Sequence, residues 1–218
     1  MLDKSKLNLS KYILAIHSTN NHFGFAYKLI NDNNSQGKFF IKKFNRDLSN
    51  NLVFDLAEFL SDISFDAIER ISVSNGPANF NATRLIVVLA RTIAQQIKCP
   101  IDYFSCFRIM AKRIAIKNNI VQANKYFWIV NKLKHRGYIA GQYMINLNTD
   151  TNQISSIKEV TTPSLYKNMF SKDIYYEVDY DSKEDLKELL QLSFENFKKS
   201  VINSWEDVLP IYPISAIN

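Results

Sequence analysis

The chain has 218 residues, a formal net charge of +6, 46% hydrophobic residues and two cysteines. These values exclude an intrinsically disordered protein and a disulfide-stabilised scaffold, and they allow one large domain or two small lobes with a sizeable core. The excess of positive charge keeps nucleic acid among the partners that the chain could bind, without requiring it.

Three predicted strands open the chain. The continuous apolar run at 12–17 predicts a buried central strand. Turn residues follow it, and residues 23–29 predict a second strand. After a polar loop at 31–37, residues 38–44 predict a third strand, so the three form a meander.

An amphipathic helix is predicted next, from about Ser49 to Ser61. At the helical repeat, one face of it is apolar and consists of Leu52, Val53, Leu56, Phe59, Leu60 and Ile63. A strand near Ile71, a long helix over 80–97 and a strand over 101–104 follow. The order β-β-β-α-β-α-β is the plan of the ribonuclease-H-like lobe of actin-like ATPases and sugar kinases. It predicts an α/β fold with mixed sheets flanked by helices.

A second, smaller lobe is predicted for residues 105–218, after a first lobe over 1–104. A change of composition at 105–119 marks the crossing between the two lobes. The elements predicted for the second lobe are strands at 126–130, 138–145 and 154–160 and an amphipathic helix at 184–204.

A Gly-Pro turn joins the strand near Ile71 to the long helix. Gly76 can adopt a positive φ and Pro77 fixes φ at about −65°, so the pair ends the strand and turns the chain sharply. Either Asn79 or Asn81 can cap the helix that follows. The helix N-terminus could bind an anion through its dipole, but structural packing is the favoured interpretation.

Four short motifs, met in chain order, carry a family resemblance. Residues 13–19 read ILAIHST and residues 76–84 read GPANFNATR. Residues 132–143 give a looser match, and residues 210–212 read PIY. On these motifs the chain resembles the TsaB (YeaZ-type) family, whose first two motifs read ILAIDTST and GPGSFTGxR. The residues that match the second, hallmark motif are Gly76, Pro77, Phe80 and Arg84.

The resemblance implies a two-lobed actin-like fold and membership of the bacterial complex that makes threonylcarbamoyladenosine in tRNA. In that family the subunit is non-catalytic and dimerises with a TsaD-type catalytic subunit, and a TsaE-type ATPase is a further partner. The complex modifies the adenosine next to the anticodon of ANN-decoding tRNAs, so this chain would meet tRNA indirectly. A homodimer is the alternative assembly of the isolated subunit.

The first turn of the chain is poorly suited to ATP chemistry. Catalysis in this superfold needs an acidic Mg²⁺ ligand at the end of the first strand, and His17 stands there instead. The turn over 18–22 has no glycine to bring backbone N–H groups close to a phosphate. No cofactor and no metal site are therefore expected, and His17 is expected to be packed. The alternatives are a small-molecule kinase or ATPase of the same superfold and a tRNA-binding module.

Two predicted helix faces form a candidate partner surface. On the helix over 80–97, the side expected to face the sheet holds Ile86, Val87, Leu89, Ala90, Ile93, Ala94 and Ile97. The opposite side, with the outward face of the preceding helix, gives the predicted partner-binding residues Asn51, Phe54, Glu58, Arg84, Leu85, Val88, Arg91 and Gln95. The resemblance implies that these two helices form the seam with the catalytic subunit.

Three basic clusters are interpreted as solvated faces rather than as sites. They consist of Lys38, Lys42, Lys43 and Arg46; of Arg108, Lys112, Arg113 and Lys117 on a probable helix; and of Lys132, Lys134, His135 and Arg136 in a turn. Residues 1–6 are polar, and the apolar run at 12–16 is too short for a signal or membrane segment. We therefore expect a cytoplasmic protein without a membrane partner.

Overall fold

Alternating apolar side chains make the first strand the centre of a two-sided sheet. The computed structural model describes residues 10–32, 37–44, 48–148, 150–151, 153–168 and 174–214. The predictions made for residues 1–6, for the loop residues 33–36 and for Arg46 lie outside these ranges. Leu14 and Ile16 point into one buried cluster, and Ile13 and Ala15 point into another on the opposite face.

The first sheet has five strands in the order β3-β2-β1-β4-β5. Its strands are β1 (Tyr12–Ser18), β2 (His22–Leu29), β3 (Lys38–Lys43), β4 (Ile68–Ser74) and β5 (Ile101–Phe104). The first three strands pair antiparallel, as predicted for a meander, and β4 pairs parallel to both β1 and β5. Helices α1 (Leu48–Phe59) and α2 (Phe80–Ile97) share a core with one face of this sheet.

The second sheet has four strands in the order β8-β7-β6-β9. Its strands are β6 (Tyr126–Leu133), β7 (Gly137–Leu147), β8 (Ile154–Tyr166) and β9 (Tyr175–Glu177). Helix α3 (Cys106–Lys117) packs on one face of this sheet, and its Ile109 also reaches the core of the first sheet. The predictions for β6, β7 and β8 were right in position but too short, and β9 was not predicted.

Helix α4 (Ser182–Lys198) returns to the first sheet after the second sheet is complete. Its Leu186, Leu189 and Leu190 pack against Ile13 and Ala26 on the face opposite to α1 and α2. The contacts of α4 therefore join it to the elements that precede residue 105. A lobe boundary at that residue stays a prediction about chain order.

The predicted end of the last helix at residue 204 was wrong, because the helix ends at Lys198. Ser200 has a φ of 54°, and its N–H donates to the carbonyl of Phe197. The N–H of Val201 donates to the carbonyl of Asn196. These bonds satisfy the last helical carbonyls and turn the chain out of the helix.

A buried carboxylate fixes α4 and the segment after it to the first sheet. Asp102, which is fully buried in β5, accepts two bonds of 2.9 Å from the guanidinium of Arg70 in β4. It also accepts from Ser193 Oγ at 2.6 Å and from the amides of Asn196 at 2.8 Å and Asn203 at 3.2 Å. One charge thus holds four parts of the chain together.

Candidate partner-binding site

The Gly-Pro turn and an asparagine cap position the start of α2. Gly76 has a φ of 99°, and a Cβ added there would lie 3.1 Å from the carbonyl oxygen of Ile211. Of the two predicted caps, Asn79 is the one used, since its side chain accepts the N–H of Ala82 at 3.1 Å. The helix begins at Phe80 and ends at Ile97, as predicted.

The core-facing side of α2 lies where the helical projection placed it. Ile86, Val87, Ala90, Ile93 and Ala94 are buried, while Leu89 and Ile97 are half-buried at the edge of the same core. On the opposite side the structure leaves Val88 54% exposed, and Arg84 and Gln95 are also exposed. The predicted separation of the two faces is therefore confirmed, and the role of the outer face in partner binding stays a prediction.

Helix α1 presents two apolar side chains to solvent, one of which was predicted to be in the core. Phe54 is 68% exposed, as predicted, but Val53 is 64% exposed and its assignment to the buried face was wrong. The buried stripe instead includes Asp55, whose carboxylate lies 2.9 Å from the ammonium of Lys42 in β3. Because that ion pair turns Asp55 inward beside Leu52, Val53 lies about 100° around the helix from the centre of the stripe.

A groove of about 630 Å³ separates the beginnings of the two helices. It is lined by Phe44, Leu48, Ser49, Asn79, Asn81, Ala82, Arg84, Leu85 and Val88. Leu85 was predicted to be stranded among polar residues but is half-buried, because it packs on the edge of the core. Arg91 is held in place by the ring of Trp205, whose centroid is 5.6 Å from the guanidinium carbon.

The remaining predicted partner residues lie on the outward side of α1. Glu58 is exposed and Asn51 is half-buried. With Val53, Phe54 and Val88 they complete an apolar surface rimmed by polar and charged groups, which is the composition of a modest protein interface. We call the surface formed by Val53, Phe54 and Val88 the helical patch.

The last described segment of the chain lies over the Gly-Pro turn. The N–H of Ile211 donates to the carbonyl of Asn75 at 2.7 Å, and the amide of Asn75 donates to the carbonyl of Leu209 at 2.9 Å. The ring of Tyr212 then meets that of Phe80, with centroids 4.6 Å apart. Partial burial there raises the pKa of the Tyr212 hydroxyl. The contact brings together two of the motifs that carried the family resemblance.

The end of β1 is filled by neighbouring protein groups. His17 is buried, and its Nε2 lies 3.3 Å from Oδ2 of Asp185 in α4. The other oxygen of that carboxylate accepts from Arg113 at 2.8 Å. The N–H of Thr19 donates to the carbonyl of His22 at 2.7 Å, so the turn uses this donor internally. Over the described ranges, no group of three or more His, Cys, Asp or Glu residues could hold a metal ion.

A polar cluster between the two sheets was not identified from the sequence. Tyr143 OH donates to Glu159 at 3.2 Å, and Ser105 Oγ donates to the same carboxylate. Ser105 also caps α3 by accepting the N–H of Arg108 at 2.9 Å. Burial raises the pKa of both Glu159 and Tyr143. Because the three oxygen-bearing side chains come from distant parts of the chain, no local pattern signals them.

Two arginines of the second basic cluster do not lie on a solvated face, and that prediction was wrong for them. The Arg108 side chain is nearly buried, 3.8 Å from Glu188 Oε1 of α4. Burial lowers the pKa of its guanidinium. Arg113 pairs with the buried Asp185, as described above. Both cations join α3 to α4 rather than facing solvent.

Comparisons with known proteins find relatives by structure alone. No protein-family model matches the chain, and no curated protein matches it. YeaZ from Pseudomonas aeruginosa superposes with a TM-score of 0.66 at 13% identity, covering 93% of this chain and 99% of that one. A second structure, described as an uncharacterized protein with similarity to the peptidase YeaZ from Pseudomonas aeruginosa, gives 0.62 at 13% identity over 94% and 100%.

These comparisons confirm the fold that the resemblance implied. The chain has a YeaZ-type, actin-like fold in which two mixed sheets are flanked by helices. Among the helices that the structure describes, none is long and apolar enough to cross a membrane.

Proposed function

We propose that this chain is a non-catalytic, TsaB-like subunit that binds a TsaD-type catalytic protein in the cytoplasm. The complex would attach threonylcarbamoyl to the adenosine next to the anticodon of ANN-decoding tRNAs, with a TsaE-type ATPase as a further partner. The observation that carries the proposal is the exposure of the helical patch on a fold shared with YeaZ over nearly the whole chain. An apolar surface of this kind is a candidate for burial in a complex.

The end of β1 supports a role without ATP chemistry. A Mg²⁺–phosphate site would need acidic oxygens and free backbone donors at this place. In this chain the imidazole of His17 lies there, next to a carboxylate that is also bound by Arg113. A small-molecule kinase or ATPase is therefore the less favoured alternative.

The name peptidase, which is attached to one structural neighbour, is not a function that we transfer. Ser105 is the serine of the polar cluster, and its hydroxyl is engaged by a carboxylate and by a helix N–H. A serine nucleophile is normally activated by a base such as an imidazole that accepts its proton. The geometry of Ser105 is that of a helix cap.

Co-purification tests the proposal directly. The chain and the TsaD-type protein of the same organism would be co-expressed, and the mass of the complex measured by size-exclusion chromatography with light scattering. A one-to-one complex is expected. A monomer or homodimer that ignores the candidate partner would contradict the proposal and make nucleotide binding the next measurement.

His17→Ala is expected to leave the modification activity of the assembled complex nearly normal. His17 contacts Asp185 and is buried, so the substitution removes packing but no reacting group. Activity would be measured per folded protein, with circular dichroism of the variant as the control. A loss beyond about 100-fold in a folded variant would indicate proton transfer by His17 and contradict the non-catalytic role.

A further inference from the structure

One face of the second sheet carries exposed aromatic rings. Strand alternation sends Phe127 and Ile129 into the core beneath α3, and it sends Tyr126 and Trp128 to the opposite face. Tyr126 is 49% exposed, and Tyr175, which is opposite Trp128 in β9, is 51% exposed. Two rings thus stand half in solvent on neighbouring strands.

The strand register brings further aromatic and basic groups to the same face. Lys132 is opposite Tyr138, which is in turn opposite Tyr166, and Lys158 is opposite Met144. The Trp128 indole is packed edge-on against the ring of Tyr166, at 5.5 Å between centroids. We call this set the outer face; its residues are Tyr126, Trp128, Val130, Lys132, Tyr138, Met144, Lys158, Tyr166 and Tyr175.

The cations around the outer face are not neutralised by neighbouring acids. Lys132 and Lys158 lie on it, and Lys134, Arg136 and Lys167 are exposed at its edge. None of these five forms an ion pair with another residue that the structure describes. By contrast, basic residues elsewhere are paired, as in Lys42–Asp55, Arg113–Asp185 and Lys117–Asp179. One acid, Glu177, shares the outer face.

We propose that the outer face binds single-stranded RNA. Exposed aromatic rings on a four-stranded sheet can stack unpaired bases, and nearby Lys and Arg side chains can bind the phosphates. From Tyr126 to Lys132 the strand spans about 20 Å, which is long enough for several contacts along one RNA segment. The proposal goes beyond the helical patch, because it gives this chain a direct contact with RNA. The choice of RNA over DNA rests on the proposed role with tRNA.

Stacking and charge are tested separately on the full chain by fluorescence anisotropy. The probe is a short, labelled, unstructured RNA, and the competitors are a DNA of the same sequence and the RNA duplex. Tyr126→Ala with Tyr175→Ala should weaken RNA binding by about 10-fold or more, because each stacked base contributes substantially. Tyr126→Phe with Tyr175→Phe keeps both rings and should bind like the unmodified chain.

The charge test uses the salt dependence of binding. Lys132→Gln with Lys158→Gln should weaken binding and reduce the slope of log affinity against log salt by about two. Lys43→Gln with Lys183→Gln removes the same charge from exposed positions away from the outer face and should leave the slope unchanged. Equal losses in both pairs would overturn the proposal.

The remaining outcomes are also decisive. Absence of RNA binding, normal binding by the alanine pair, or equal affinity for duplex or DNA would overturn the assignment to single-stranded RNA. Val88→Glu should leave RNA binding unchanged, because it alters the helical patch alone. Failure of partner binding and failure of RNA binding are therefore distinguishable.

Discussion

Val88→Glu is expected to abolish association with the TsaD-type protein while the chain stays folded. Val88 is 54% exposed on the outer side of α2, and a glutamate there has good helix propensity and full access to water in the free chain. In a complex that buries the helical patch, the new carboxylate would lose its water without a partner. We expect an affinity loss of at least about 100-fold, measured by titration calorimetry.

Ile116→Glu is the matched control for that substitution. Ile116 is 55% exposed on α3, so the change introduces the same charge at an equally exposed aliphatic position outside the helical patch. It should leave the affinity unchanged. Normal binding by Val88→Glu, or an equal loss in the control, would contradict the assignment of the seam to α1 and α2. If the chain forms a homodimer through the same patch, Val88→Glu should yield a monomer.

The first lobe could be predicted closely from its sequence because its signals are local. The apolar run of β1, the glycine at the turn and the helical period of α2 each depend on residues near one another in sequence. The same period placed Phe54 and Val88 outside the core. Local pattern was sufficient wherever a residue's surroundings were set by its own element.

Predictions failed where a distant charge decided the orientation of a side chain. Val53 turns outward because Asp55 pairs with Lys42 of another element. Arg108 and Arg113 turn inward because acids of α4 meet them, far away in sequence. A charged residue read from sequence alone is assigned to solvent, and only the tertiary partner reverses that assignment.

The Asp102 cluster shows how much such a buried charge can determine. Asp102 and Arg70 are both almost inaccessible to water. The guanidinium of Arg70 also donates to the carbonyl of Val201, just beyond α4. Removing one member of a buried pair leaves the other charge desolvated and uncompensated, which costs more than the net contribution of the pair.

Asp102→Ala is accordingly expected to lower the free energy of unfolding by about 3–5 kcal/mol. The substitution leaves Arg70 without its carboxylate and removes the shared acceptor of Ser193, Asn196 and Asn203. Urea unfolding, followed by circular dichroism, measures the change as a shift of the midpoint. A loss of this size is a large fraction of the stability of an ordinary domain.

Glu69→Ala provides the comparison from the same strand as Arg70. Glu69 pairs with Lys11 at 3.2 Å, and both side chains are about two-fifths exposed. Surface pairs of this kind contribute about 0–1 kcal/mol, so the midpoint should hardly move. If Asp102→Ala cost no more than Glu69→Ala, the cluster would not be what fixes α4 to the first sheet. The apolar contacts of Leu186, Leu189 and Leu190 would then have to hold the helix alone.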